Sequence, residues 1–407
     1  MSSFVWLDYS ERERRKMLDV IELFRESETV DELGIGSIRD AFADMLFPGT
    51  STIMTRARYF LLIPWIYQHL EGRRVSSAQI EARGRNTEID LIEHIEASND
   101  NAGNIGRLAR SNLKRLASSV YWQGLGVWGI RSFIGSQTQY YRSLDRYYQG
   151  QARHAGRLSE RGSEHDDLIA PNWHGGLISP PPGFLTTCSL RLSRREAKYL
   201  AERITLSPGC SGSLLAALVR HGKREDDMTF AWEHPYYQRL NGKLSVQLDH
   251  ARNFSALMHG APLLYNLILA EQTNNDTRRD RYCLLLREWS DLIAERRQSL
   301  EHWKNGEFWT VVLDQNARIT PNTRSFVNEW WQLVLDAGPR DIAHSEVARN
   351  LVTYRERQIK KQLARINNPR ASELWGGDSG IAPLDYRWRI SQILIGDIFD
   401  GLGGGDA

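Results

Sequence analysis

The chain lacks any run of 18 apolar residues, which excludes a transmembrane helix on sequence grounds. Its opening, MSSFVWLDYSERERRK, turns charged by Glu11 and has no apolar stretch of signal-peptide length, so a cytoplasmic protein is expected. Cysteine is scarce. Cys188, Cys210 and Cys283 are odd in number and far apart, which suits a reducing compartment and argues against a disulfide framework or a zinc cluster. The 11 histidines form no His-x-x-x-His or His-Glu-x-x-His pattern. His250 and His259 fall on one expected helix but on opposite sides of it, too far apart to share a metal. No Gly-Lys-Ser/Thr loop end is present, so no P-loop is expected. Alternating strand patterns are few, and no internal repeat stands out. No catalytic residue, metal or cofactor is assigned from these patterns.

What is present is an ordinary globular composition, 41% hydrophobic and 25% charged, over 407 residues. That length suggests two or three domains. The 13 tryptophans are many and should anchor large cores or contact surfaces. The net charge of +2 hides a split. Residues 1–100 carry 12 Lys/Arg against 18 Asp/Glu, whereas 101–159 carry nine basic residues against the single acid Asp145.

Helical periodicity dominates. A capping box, Ser10 with Glu13, opens a helix to about residue 27. Further helices are expected at 38–46, 52–70 (kinked at Pro64), from Ser76 or Ser77 to 98, 105–116 and 119–130. Gly- and Pro-rich residues 151–183 read as a domain junction. A second capping box, Ser193 with Glu196, then opens helices over 194–204, 211–221, 246–271, 278–300, 322–337, 342–366 and 384–400. The best strand candidate is 308–313, FWTVVL, which a buried helix would also explain. The 403–407 tail is expected to be disordered. The fold class expected is mainly α with two helical lobes. The N-terminal lobe spans 1–150 and contains a helix-turn-helix or winged-helix-like unit at 104–131. The C-terminal lobe, 184–407, is a helical bundle.

The 104–131 unit, NIGRLARSNLKRLASSVYWQGLGVWGIR, is the sharpest functional candidate. A short helix, a turn and a second helix capped by Ser118 or Ser119 would enter a major groove. Arg107, Arg110, Lys114, Arg115 and Arg131 would then contact phosphates, while Ser119, Tyr121 and Gln123 would be offered to bases. The same pattern also fits a structural hairpin with a solvated basic face. Tyr140, Tyr141, Tyr147 and Tyr148 lie among Arg142 and Arg146, where they could stack on bases or pack on a neighbouring helix. Ser51 and Thr52, at a helix start with Arg56 and Arg58, form a possible anion site; the alternative is an N-cap with its arginines paired to carboxylates. A second basic run, Arg355, Arg357, Lys360, Lys361, Arg365 and Arg370, fits either a phosphate track or a solvated helix face. Glu164-His165-Asp166-Asp167 is a charged loop cluster, and Cys210 in Pro-Gly-Cys-Ser-Gly is the most reactive-looking thiol.

Several strings carry a resemblance: SSFVWLDYS at the start, FPGTSTIMTRARYFLLIPWIY at 47–67, SSVYWQGLGVWGIR at 118–131, GAPLLYNLILAE at 260–271 and LDYRWRISQILIGDIFDGL at 384–402. Together they resemble a bacterial domain-of-unknown-function family of about this length. The resemblance implies genes placed beside helicase, methyltransferase or phospholipase-D-like genes in phage-defence islands, and it brings no catalytic residues. The expected function is therefore a non-enzymatic DNA-binding or assembly subunit of an anti-phage system, with nucleic acid and other defence proteins as partners and no membrane. A pure protein-interaction subunit, and a nuclease or hydrolase with dispersed catalytic residues, stay open as alternatives.

Overall fold

Apolar residues recur at helical spacing through nearly every segment, and the computed structural model folds them accordingly. It describes residues 31–98, 100–159, 170–225, 228–336 and 341–403. Among these the regular elements are helices: α1 (Gly36–Leu46), α2 (Tyr59–Gly72), α3 (Ile80–Glu96), α4 (Ala117–Val127), α5 (Gln137–Ser159), α6 (Arg194–Leu206), α7 (Leu214–His221), α8 (Gly242–Gln272), α9 (Asp276–Glu295), α10 (Arg297–Glu301), α11 (Asn305–Gln315), α12 (Pro321–Asp336), α13 (Glu346–Lys360), α14 (Pro369–Ser372) and α15 (Trp388–Gly403). Five 3-10-type or β-type exceptions matter little, except an isolated antiparallel bridge between Arg131 and Trp173. The mainly α expectation holds. The expected helix at 10–27, the 164–167 cluster and the end of the tail lie outside the described residues. No helix among the described residues is long and apolar enough to cross a membrane.

Two compact units are present, and they are not the lobes expected. The first combines Met1–Phe42, as far as it is described, with Gln247–Leu384; the second combines Ala43–Val246 with Asp385–Ala407. The expected junction at 151–183 falls inside the second unit. Its physical reason is local packing. The amides of Ser132 and Phe133 donate to the Asn172 carbonyl, His174 N donates to Ile130 O, and Trp173 is buried. Gly150 does not break α5, which continues to Ser159.

In the first unit α8 is the spine. Phe254, Leu257, Met258, Ala261 and Leu264 are fully enclosed, as their 3–4-residue spacing requires. Two indoles close on this helix: Trp289 Nε1 donates to Ala256 O at 2.8 Å and Trp330 Nε1 to Leu257 O at 2.9 Å. The FWTVVL segment belongs to α11, with Phe308, Trp309 and Val312 buried. Their i, i+1, i+4 spacing is helical, and the strand expectation came from too short a window. Trp303 stacks on Trp331 at 3.7 Å, extending that cluster.

In the second unit α2 is buried from Tyr59 to Tyr67, Pro64 included. Phe60 stacks on Trp128 at 3.7 Å and meets Tyr121 edge-on at 5.0 Å. The capping box at Ser193 and Glu196 forms as expected and starts α6. Helix α15 lies against it with Gly401 over Ala197 and Leu192.

The helix-turn-helix expectation is corrected. Only a single 3-10 turn, Arg110–Asn112, forms between α3 and α4. Gly103 and Gly106 take φ of +82° and +84°, and Arg110 takes +45°, so the chain cannot sustain a helix over 105–116. Helix α4 starts at Ala117 with Leu116 as its cap, without a side-chain cap from Ser118 or Ser119. It is a core helix, with Val120, Tyr121, Trp122, Gly124 and Leu125 all buried. Gly124 is required by close approach: a Cβ there would drive into the backbone carbonyl of Gly49. Gly124→Ala should destabilise the protein by about 1–3 kcal/mol as an overpacking change. A melting temperature equal to that of the parent would contradict this packing.

Candidate nucleic-acid interface

The 105–116 segment is an irregular loop laid beside α3. Arg107 pairs with Glu96 at 3.0 Å and Arg110 with Glu93 at 3.6 Å, both half-exposed. Arg85 reaches the loop from α3 and donates to Ser111 O at 2.9 Å. The acidic face of α3 thus holds part of the basic loop. Such surface pairs contribute at most about 1 kcal/mol each, so a phosphate can displace them. Lys114 and Arg115 are exposed and have no ion pair among the described residues. Ser119 and Gln123 are exposed one turn apart on α4, just beyond them.

Two residues expected at this surface face inward. Tyr121 is fully buried. Its hydroxyl accepts from Thr55 N at 2.9 Å and Arg56 N at 3.1 Å, and donates to Arg56 O at 2.9 Å. Burial pushes its phenol up to about 12. A base has no access to it. Arg131 lies over the Trp122 ring at 4.7 Å and donates to the carbonyls of Trp122, Phe133 and Gly135. Burial lowers its pKa, and its role is to close the end of α4 rather than to meet phosphate.

The anion site expected at Ser51, Thr52, Arg56 and Arg58 is filled by the protein's own carboxylates. Asp397 accepts from Ala57 N at 2.8 Å and from Arg56 Nε at 2.9 Å. Asp100 takes a second edge of the Arg56 guanidinium at 3.1 Å. Burial lowers the Arg56 pKa, but the bonds to Asp397 and Asp100 more than offset it and the net shift is upward. Arg58 is buried against Glu196 at 2.7 Å and donates to Ser189 O. Thr52 is exposed and Ser51 half-buried; the Ser51 hydroxyl accepts from Ile53 N at 3.4 Å.

The other candidates resolve in the same way. Tyr140, Tyr141 and Tyr148 are buried, so α5 packs them rather than offering them to bases. In the second basic run, Arg355 is buried and donates to Leu33 O, Gly34 O and the Thr323 hydroxyl. Lys360 and Arg365 pair with buried Glu32. Arg357, Lys361 and Arg370 alone point outward. Cys210 is buried and its thiol is pushed up to about 11, the reverse of an activated nucleophile. Among the described residues no three His, Cys, Asp or Glu side chains converge to hold a metal.

The residue that sequence reasoning missed is Glu88. It is buried, accepts from Ser118 N at 2.9 Å and from Tyr67 Oη at 3.3 Å, and so caps the start of α4 from α3. Gln137 of α5 completes the cluster, donating to the Ser118 hydroxyl at 2.8 Å and to Tyr141 Oη at 2.6 Å. A cavity of about 10 Å³, one water's worth, lies beside Glu88 among Tyr59, Ile66, Leu91 and Leu113. It is too small for a ligand. No signal in the local sequence marks Glu88, because its partners come from two other helices, Tyr67 of α2 and Ser118 of α4.

The family described as a family of unknown function, DUF6361, matches residues 1–402. No curated protein matches the chain, and neither does any solved structure.

Burial raises the Glu88 pKa to about 7, against the opposing pull of the bonds from Ser118 and Tyr67. A carboxyl whose folded-state value is raised contributes stability that is full below its unfolded value and is lost as pH rises through about 7. The melting temperature should therefore fall between about pH 5 and pH 8, and Glu88→Gln should flatten that fall. Parallel pH profiles for the two proteins would remove Glu88 from this role.

Proposed function

Because the chain belongs to the DUF6361 family, whose function is unknown, membership brings no activity with it, and we propose that this protein binds nucleic acid, DNA in the first place, through backbone phosphates. It does so as a non-enzymatic subunit of a bacterial anti-phage assembly. The observation that carries the reading is Lys114 and Arg115: adjacent, exposed and without an ion pair among the described residues. They stand in a stretch with no acid from Asn101 to Leu144. Arg107 and Arg110 add to the site by exchanging Glu96 and Glu93 for phosphate. Ser119 and Gln123 are the polar side chains left to approach bases. The defence setting rests on the resemblance described above and on no contact within the chain.

One observation favours a second reading. Leu108, 65% exposed, lies inside the basic loop, and Ile134, 95% exposed, follows α4. Isolated exposed apolar side chains beside cations suit an acidic protein partner.

Salt dependence separates the two. Each phosphate of duplex DNA neutralised contributes roughly 0.9 to the slope of log affinity against log salt. Lys114→Ala with Arg115→Ala should lower the slope by about 1.8, and Gln123→Ala should leave it unchanged. Arg131→Ala should leave the slope alone but lower the melting temperature. Wild-type protein that shows no salt-dependent binding to DNA or RNA, and whose double variant loses a protein partner in a pull-down, would replace the nucleic-acid reading with the protein one.

A further inference from the structure

Helix α5 presents a second basic surface, and the geometry points to it as a seat for the sugar-phosphate backbone of duplex DNA. Helical phase sets the row. Tyr140, Tyr141, Leu144 and Tyr148 are buried and define one side of the helix. Arg142, Arg146, Gln149 and Arg153 are exposed. At about 100° per residue they fall within an arc of roughly 60° on the opposite side. Arg142 and Arg153 are separated by about 16 Å along the axis. None of the three arginines has an ion-pair partner among the described residues. Asp145, the one acid between residues 101 and 159, lies about 40° outside the arc, and its carboxylate accepts from Ser77 N at 3.0 Å.

The chemistry of the row selects its occupant. Guanidinium groups meet phosphate oxygens in pairs, and three of them on a rigid helix give a fixed track rather than a diffuse charge. Of the tyrosines that would stack on the bases of a single strand, Tyr140, Tyr141 and Tyr148 are buried on the other side of α5, and Tyr147 is half-buried and lies outside the row, which leaves backbone contact. A helix face fits the major groove of B-form DNA, about 12 Å wide, whereas the deep, narrow major groove of A-form RNA does not admit one. The first turn of α5 abuts the first turn of α4 through Gln137 and the Ser118 hydroxyl at 2.8 Å. That contact lies on the buried side of α5, and the row runs along the opposite side of the same helix. The inference rests on the nucleic-acid reading and extends its footprint.

The test is binding of the full chain to a labelled duplex DNA of mixed sequence, with single-stranded DNA and duplex RNA in parallel, over a salt series. Arg142→Gln, Arg146→Gln and Arg153→Gln together should lower the salt slope by about 2.7. The loss of affinity between about 50 and 200 mM salt should then be roughly 40-fold smaller than for the parent. The charge-keeping triple variant, with lysine at the same positions, should retain the slope, which a purely structural role of the arginines would not allow. A glutamine variant that binds like the parent, while Lys114→Ala with Arg115→Ala weakens binding, overturns the α5 row and leaves the loop standing. Duplex RNA or single-stranded DNA bound as tightly as duplex DNA overturns the choice of occupant. Absence of any salt-dependent binding by the parent overturns both.

Discussion

A turn of backbone entering a buried helix brings N–H groups that no helical carbonyl can reach, and each must find a partner inside the protein. At Thr55, Arg56 and Ala57, where the chain turns into α2, those partners come from distant sequence. The Tyr121 hydroxyl serves two of the amides, and the Asp397 carboxylate serves the third. Much of the second unit follows from this. Tyr121 has to be buried, so α4 has to be a core helix. Asp397 has to be brought in, so α15 packs with this unit although it is last in the chain. Once a carboxylate is buried there, Arg56 has to turn inward to neutralise it, because an unpaired buried charge costs several kcal/mol. The residues that looked like an external anion site are the means by which an internal one is balanced.

A second constraint acts through the tryptophans. Without strands among the described residues, loop and helix-end carbonyls have no ladder to join. Indole N–H groups take several of them: Trp65 reaches Ile178 O, Trp128 reaches Pro48 O, and Trp388 reaches Met228 O. Each side chain buries a large apolar ring and spends its one donor on a backbone carbonyl. Asn266 does the same work in the first unit. Fully buried on α8, it accepts from Trp375 Nε1 and Ser379 N and donates to Ser379 O, tying residues 375–379 to the spine.

These features explain what could be read from the sequence. Periodicity found most helices, because a stripe such as Phe254, Leu257, Ala261 and Leu264 is a local pattern. Ser193 with Glu196 was legible for the same reason: a capping box is complete within four residues. The 105–116 segment was misread because its arginines and leucines have good helix propensity, whereas its glycines adopt left-handed conformations that only the tertiary fold reveals. Tyr121, Arg56 and Glu88 were misread or missed because their partners lie tens to hundreds of positions away, and Arg131 because its return onto the carbonyls of Trp122, Phe133 and Gly135 follows no local motif. A charged or phenolic residue has the same letter whether it faces water or closes a cap. The division into units was hidden for a related reason: each unit is assembled from two separated stretches, so no composition shift marks the boundary.

The basic stretch then has to be divided by where its charges go. Arg131 is used inside, and Arg107 and Arg110 are partly compensated by α3. Lys114, Arg115, Arg142, Arg146 and Arg153 remain outside without carboxylate partners among the described residues. Like charges at i, i+4, as at Arg142 and Arg146, destabilise a helix by a few tenths of a kcal/mol, and adjacent cations at Lys114 and Arg115 repel one another. Nothing in the packing asks for that cost: the inward side of α5 is already satisfied by Tyr140, Tyr141, Leu144 and Tyr148. Elsewhere some exposed arginines are matched with acids within a turn, as Arg279 is with Asp276 and Asp280, and Arg297 with Glu301, while others such as Arg83, Arg194 and Arg357 are exposed without an ion pair among the described residues. What sets α5 apart is that its unmatched arginines fall in one row on one helix face with no acid inside the row, and a polyanion is the ligand that would relieve that repulsion.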